Sequence, residues 1–221
     1  MNNKNNCELK KIEDILHNRK QGAVKPYSFY SILIPLVYNE GELSLLFEIR
    51  SDELKRQPGE VCFPGGRVED TESFEECAVR EASEELGIAG DDISLLGKFD
   101  TLHSYSNFSM HSYVGYIERN KISKDRISKD EVKDLLFLPI KFFLKNDPDI
   151  YTIPLVRHVP QDFPNERIGF PDGYNWRRGI ATVPVYDNSE PVLWGLTATF
   201  AYEFSRALRE GSFCPENETV K

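Results

Sequence analysis

The 221-residue chain has no apolar run near the roughly 18 residues a membrane span needs. The longest candidate, "SILIPLVY" (31–38), is the right length for a buried strand. Cysteine is sparse: Cys7, Cys62, Cys77 and Cys214 are scattered, with no CxxC pair and no Cys/His cluster. That pattern excludes a disulfide framework and a zinc module and fits reduced thiols. The polar start "MNNKNNCELKK" lacks the apolar segment of a secretion signal, and "ENETVK" at the other end carries no targeting tripeptide, so a cytoplasmic protein with no membrane contact is expected. Positive charge is also short, with 27 Lys and Arg against 36 Asp and Glu for a net charge of -9. This deficit argues against a nucleic-acid partner bound through its phosphates. A small phosphate-bearing substrate would instead need a local basic pocket or bound divalent cations.

With 40% hydrophobic and 29% charged residues, the composition and length are those of one ordinary globular domain, or one domain with elaborations. Leu9, Ile12, Ile15 and Leu16 stand at helical spacing and predict a short amphipathic helix over 8–18. "SFYSILIPLVY" (28–38) and "LSLLFEIR" (43–50) read as strands joined through "NEGE" in a hairpin. A loop holding Pro58 and Gly59 leads through "VCF" to Gly65–Gly66 and a helix over about 72–87, stopped by Gly87 and Gly90. "ISLLGKFDTLHS" and "SMHSYVGYIE" predict two more strands, 119–134 a loop, and "LLFLPIKFFL" a strand end running into a short helix. Segment 157–178 is irregular, followed by the strand "IATVPVY" and a closing helix from about 192 to 209. The order predicts a mixed α+β or α/β sandwich and not a doubly wound repeat. The expected division is a helix and lead-in over 1–27, a main domain over 28–209 and a tail over 210–221.

The stretch "GGRVEDTESFEECAVREASEELGI" (65–88) holds eight carboxylates and two arginines. Glu81, Glu84 and Glu85 fall at i, i+3 and i+4, so a helix places them on one face. Arg80 is the cation near enough in sequence to reach Glu84 or Glu76. Acidic runs are usually solvated surface, but such clustering suits a hard cation, since Mg²⁺ takes one or two carboxylates and keeps water and substrate phosphate. Cys77, Ala78 and Ala82 are small and would leave room for a substrate or for a neighbouring loop. Gly65 and Gly66 would let a backbone carbonyl approach as a further ligand.

Gly66, five residues, Glu72, seven residues and then "REASEELGI" resembles the Nudix box, with Arg80, Glu81, Glu84, Glu85 and Gly87 in register. Ala82 and Ile88 fill its aliphatic positions, Ala82 being smaller than usual. Upstream, "RSDELKRQPGEVCFPGG" (50–66) resembles the signature of the coenzyme A pyrophosphatase branch, with Lys55 at a position where arginine is common. "WGLTA" (194–198) is similar to that branch as well, whereas "SNFSM" (106–110) departs from it.

The resemblance implies a Nudix-type α/β/α sandwich with a mixed sheet, covering residues 28–209. It implies a metal-dependent pyrophosphatase that splits coenzyme A or a derivative into 4′-phosphopantetheine and adenosine 3′,5′-bisphosphate. The alternatives are a pyrophosphatase for ADP-ribose or another nucleoside diphosphate derivative, and a non-catalytic ligand sensor on the same fold. Glu81, Glu84 and Glu85, with the Gly66 carbonyl, would hold Mg²⁺ or Mn²⁺, and Arg80 would orient the carboxylates. The general base would be a box glutamate or Glu131. Arg50, Ser51, Lys55, Gly59, Phe63, Gly65 and Gly66 would bind substrate. Arg177 and Arg178 are candidates for a 3′-phosphate, and Tyr174 and Trp176 for stacking or core packing. His103 and His111 lack ligand spacing. A homodimer is left open.

Overall fold

The computed structural model describes residues 3–19 and 27–213, with the backbone alone for residues 3–7. Cys214, most of the expected tail and the end of the lead-in lie outside the described residues. A helix α1 (Asn3–Asn18) precedes the strands β1 (Ser28–Asn39) and β2 (Glu42–Arg50). Glu40 and Gly41, both at positive φ, close the β1–β2 hairpin as "NEGE" predicts. Two short strands follow, β3 (Val61–Cys62) and β4 (Gly65–Arg67), then the helix α2 (Phe74–Leu86). Next come β5 (Ile93–Ser104), β6 (Phe108–Ile117), β7 (Val132–Pro139) and the short helix α3 (Ile140–Lys145). The chain closes with β8 (Asp149–Leu155), β9 (Gly179–Tyr186), β10 (Leu193–Trp194) and α4 (Gly195–Glu210). No helix among the described residues is long and apolar enough to cross a membrane.

β1 is the hub of a seven-stranded mixed sheet. One edge runs parallel to β6 from Ser28↔Phe108 to Leu36↔Tyr116. Its other edge pairs antiparallel with β2 only over 36–39 and with β4 over 30–32. Beyond Leu45, β2 leaves β1 and pairs with β3 at Glu48 and Ile49, and with β7 along its length. The segment 61–67 is therefore a bridge between two diverging strands, and the Leu33 amide donates to the Pro64 carbonyl (2.9 Å) in the gap. β8, β9 and β10 form a separate three-stranded sheet. β8 was invisible to hydrophobic periodicity because six of its seven residues are exposed.

Both faces of the main sheet are covered. Ile32, Ile34 and Leu36 point into one core with Phe47, Phe143, Phe200 and Phe204, under α3 and α4. Leu33 and Val37 point the other way and join Leu46, Ala78, Ala82 and Leu86, under α2. A strand buried on both faces reads as an unbroken apolar run, which is what "SILIPLV" is. Cys77, Ala78 and Ala82 are fully buried against the sheet, so their small size draws the helix close and does not clear space for substrate. Leu9, Ile12, Ile15 and Leu16 of α1 are all exposed.

α2 is capped at both ends. Ser73 accepts from the Glu76 amide (3.2 Å) while Glu76 reaches back to the Ser73 amide (2.7 Å). Gly87, at φ +63°, ends the helix in the left-handed conformation, and a Cβ there would collide with the Arg126 carbonyl. Gly87→Ala is accordingly expected to lower the free energy of unfolding by about 1–2 kcal/mol or more. Urea denaturation measures this, and an unchanged midpoint would mean the 119–131 loop does not constrain the helix end.

Candidate active site

The site forms where the bridge 61–67 meets α2. The Gly65 amide donates to the Glu85 carboxylate at 2.8 Å, one turn from where Glu81 lies across Gly66. A Cβ on Gly66 would fall within the Glu81 carboxylate, and one on Gly65 against the Ser31 carbonyl. Both glycines are thus set by close approach, as the sequence suggested.

Arg80 gathers the remaining acids. Its Nε and one terminal nitrogen engage Glu72 in a fork at 2.9 and 2.7 Å. The same guanidinium lies 3.0 Å from Glu81 and 3.2 Å from Glu84. Glu76, the other partner considered from sequence, is committed to the cap. Hydrogen bonding from Arg80 pulls the Glu72 carboxyl down to about 2, and the carboxylates in turn push Arg80 upward. Glu81 is raised by burial despite Arg80, and Glu85 is pushed up to about 8, again chiefly by burial. Glu84 is the exposed member, its side chain 61% accessible.

A residue that sequence reasoning missed stands behind them. Glu48 in β2 is 1% exposed, and its Oε1 finds no hydrogen-bond partner among the described residues. Burial raises its carboxyl well above the usual range, with Glu85 and Glu131 adding to the effect. The sequence carried a signal for it: within "LSLLFEIR", Glu48 keeps the parity of Leu46, a core residue. Glu131 is itself exposed, and its charge reaches Glu48, Glu81 and Glu85.

On the other side of Gly65–Gly66 opens a cavity of about 650 Å³. Of the residues expected to bind substrate, Arg50, Phe63, Gly65 and Gly66 are on its wall. Lys55 is not; the neighbouring Arg56 takes the wall position, because the 51–60 turn carries Lys55 outward. Ser51 and Gly59 also stand off the wall and shape that turn, Ser51 Oγ accepting from the Glu53 amide and the Gly59 amide donating to the Arg50 carbonyl. The apolar end comes from Phe108 and Met110 of β6 and from Leu196 and Phe200 of α4. Thr197 Oγ1 ties α4 to the Val61 carbonyl (2.9 Å), which gives "WGLTA" its place at this wall. Arg177, Arg178, Tyr174 and Trp176 lie outside it; Trp176 packs on Tyr174 and under Arg157. His111 stacks on Phe74 at 3.6 Å, and His103 is exposed. Cys62 and Cys77 are free thiols.

The donor set fits a hard divalent cation. Glu48, Glu81 and Glu85 are buried or half-buried oxygen donors, with Glu85 acting on Glu48 and acted on by Glu81, and Arg80 is shared among three of the acids of the cluster. Among the described residues no three His, Cys, Asp or Glu side chains already stand as a cage; Arg80 contacts Glu81 and Glu84, and the Gly65 amide donates to Glu85. Because Glu72 is depressed, its contact with Arg80 stabilises the fold above the ordinary carboxylate range and is lost as pH falls toward about 2. In Arg80→Gln the Glu72 carboxyl is expected to titrate well above its wild-type value, near that of an ordinary glutamate. ¹³C NMR of the side-chain carboxyls measures it, and an unmoved titration would show that Arg80 does not set the cluster.

Residues 29–153 match the family model described as NUDIX domain. The mouse protein named peroxisomal coenzyme A diphosphatase NUDT7 is 33% identical over 61% of this chain and 56% of its own length. Nudix hydrolase 3 of Caenorhabditis elegans is 35% identical over 62% and 58%. A second worm protein, peroxisomal coenzyme A diphosphatase ndx-8, is 34% identical over 50% and 49%. The chain spans about half the length of these curated relatives. Glycine bridge, capped acidic helix and family match converge, and the chain belongs to the Nudix family.

Proposed function

We propose that the protein is a Mg²⁺- or Mn²⁺-dependent hydrolase of the diphosphate in coenzyme A or one of its acyl or oxidised derivatives. The observation that carries the reading is the position of Gly65–Gly66, with the cavity and its two arginines on one side and Glu81 and Glu85 on the other. A diphosphate lying on that backbone would meet Arg50 and Arg56 directly and the carboxylates through a cation. An acidic protein thereby supplies the local positive charge its substrate requires. The apolar end of the cavity suits a long, weakly polar arm such as pantetheine. The names of the mouse and worm relatives, together with "RSDELKRQPGEVCFPGG", support coenzyme A as the substrate. The free thiols of Cys62 and Cys77 support a reducing compartment, and we place the protein in the cytoplasm.

Glu81, Glu84 and Glu85, with the Gly66 carbonyl, are the residues assigned to hold the cation. When bound, it neutralises the diphosphate and lowers the pKa of an attacking water. Arg80 keeps Glu81 and Glu84 turned together, while the Gly65 amide orients Glu85. The general base is a box glutamate or Glu131, an exposed carboxylate whose charge reaches Glu81 and Glu85. Water oxygen attacks one phosphorus, the bridging P–O bond breaks, and two phosphate monoesters leave, 4′-phosphopantetheine (or its acyl form) and adenosine 3′,5′-bisphosphate.

A substrate panel of coenzyme A, acetyl-coenzyme A, ADP-ribose and NADH with Mg²⁺ or Mn²⁺ tests the assignment. Adenosine 3′,5′-bisphosphate released at the highest kcat/KM is the expected result, and preferred cleavage of ADP-ribose would overturn it. Glu84→Gln and Glu85→Gln are each expected to lose on the order of 10²-fold or more in kcat. Near-normal turnover in both variants would remove the metal assignment.

A further inference from the structure

We propose that Glu48 is a ligand of this same cation site, supplied by the sheet from the face that packs against α2. β2 alternates its side chains, and Leu45 and Phe47 enter the core under α4 while Leu46 enters the core under α2. Glu48 therefore points to the α2 side, where Glu85 is buried. It is held between two strands, opposite Cys62 of β3 and Leu135 of β7, so it cannot swing out to solvent. Its carboxyl group is within hydrogen-bonding reach of that of Glu85, yet Oε1 has no partner among the described residues.

The nearby cation does not resolve this. Arg50 is close enough to act on Glu48, but its Nε is itself buried and unpartnered, and its terminal nitrogen turns away to the Arg56 carbonyl at 3.4 Å. A position with a purely structural task between two strands would favour an apolar side chain, since a buried charge without a partner destabilises the fold. A hard cation that takes oxygen from both Glu48 and Glu85 gives the unsatisfied oxygen a partner and relieves the carboxylate pair together. This inference rests on the proposal that Glu85 binds the cation.

Mn²⁺ titration of the substrate-free protein, followed by the electron paramagnetic resonance of the free ion, gives affinity; spin-echo modulation counts the waters on the bound ion. Glu48→Gln is expected to weaken Mn²⁺ binding about tenfold or more and to add a water to the bound ion, with a cation-free Tm at or above wild type. An unchanged water count overturns the assignment whatever the affinity, because a residue that only positions Glu85 leaves the coordination sphere intact. If wild type fails to bind Mn²⁺, or Glu85→Gln binds as wild type does, the metal reading beneath it fails instead. Glu48→Met, matched in length and lacking the oxygens, allows the same two measurements if the amide variant does not fold.

Discussion

Everything at the site depends on two residues without side chains. Gly65 and Gly66 are pressed between the backbone of β1 and the carboxylates of α2, in space where no Cβ fits. Their strand lets β1 keep a partner after β2 has left it, and so fills the opening in the sheet. The same contact sets how near α2 lies to the sheet, helped by the fully buried Ala78 and Ala82. It places the cavity and the acids within one backbone thickness of each other. Fold and site geometry are one constraint here.

The electrostatics follow from that proximity. Packing α2 tightly buries Glu85 and half-buries Glu81, and losing water penalises their charged forms. Arg80 offsets part of the repulsion through its fork to Glu72 and its contacts with Glu81 and Glu84. Glu48 and Glu85, deeper in, lie beyond its contacts. The fold thus gathers carboxyl groups whose charged forms are favoured only alongside positive charge. From the cavity wall Arg50 also acts on Glu48 and Glu85, and Arg56 adds charge on that wall.

The local signals in the chain were strong where side-chain periodicity and end signals agree. The α2 helix lies within a residue or two of its expected bounds because Ser73, Glu76 and Gly87 supply a capping box and a left-handed stop. β1 was legible because burial on both faces leaves an unbroken apolar run. β3, β4 and β10 span two or three residues, too few for any period to show, and β8 exposes nearly all of its side chains. Within the site, Arg50, Phe63, Gly65 and Gly66 line the cavity, and Arg56 lines it where the adjacent Lys55 does not, a distinction between neighbouring cations that spacing alone does not carry. Cys77, Ala78 and Ala82 were ambiguous for a like reason: small size serves close packing and substrate room alike, and contacts alone tell them apart.

Composition and spacing by themselves determined an acidic chain, a mixed α and β order, and a helix with three carboxylates on one face. Those properties are local, set by residue charge and by the 3.6-residue turn. Tertiary structure alone decided which carboxylates lose water, because burial of Glu48 and Glu85 comes from β2 and α2, strands and helix that meet only in the folded protein. It also decided which walls share the cavity, joining the 50–66 stretch to Phe108, Met110 and Phe200 far along the chain. Glu48 marks the boundary between the two: an acid in an apolar strand is visible in the sequence, but its unpartnered oxygen beside Glu85 exists only once the sheet and helix have closed on it.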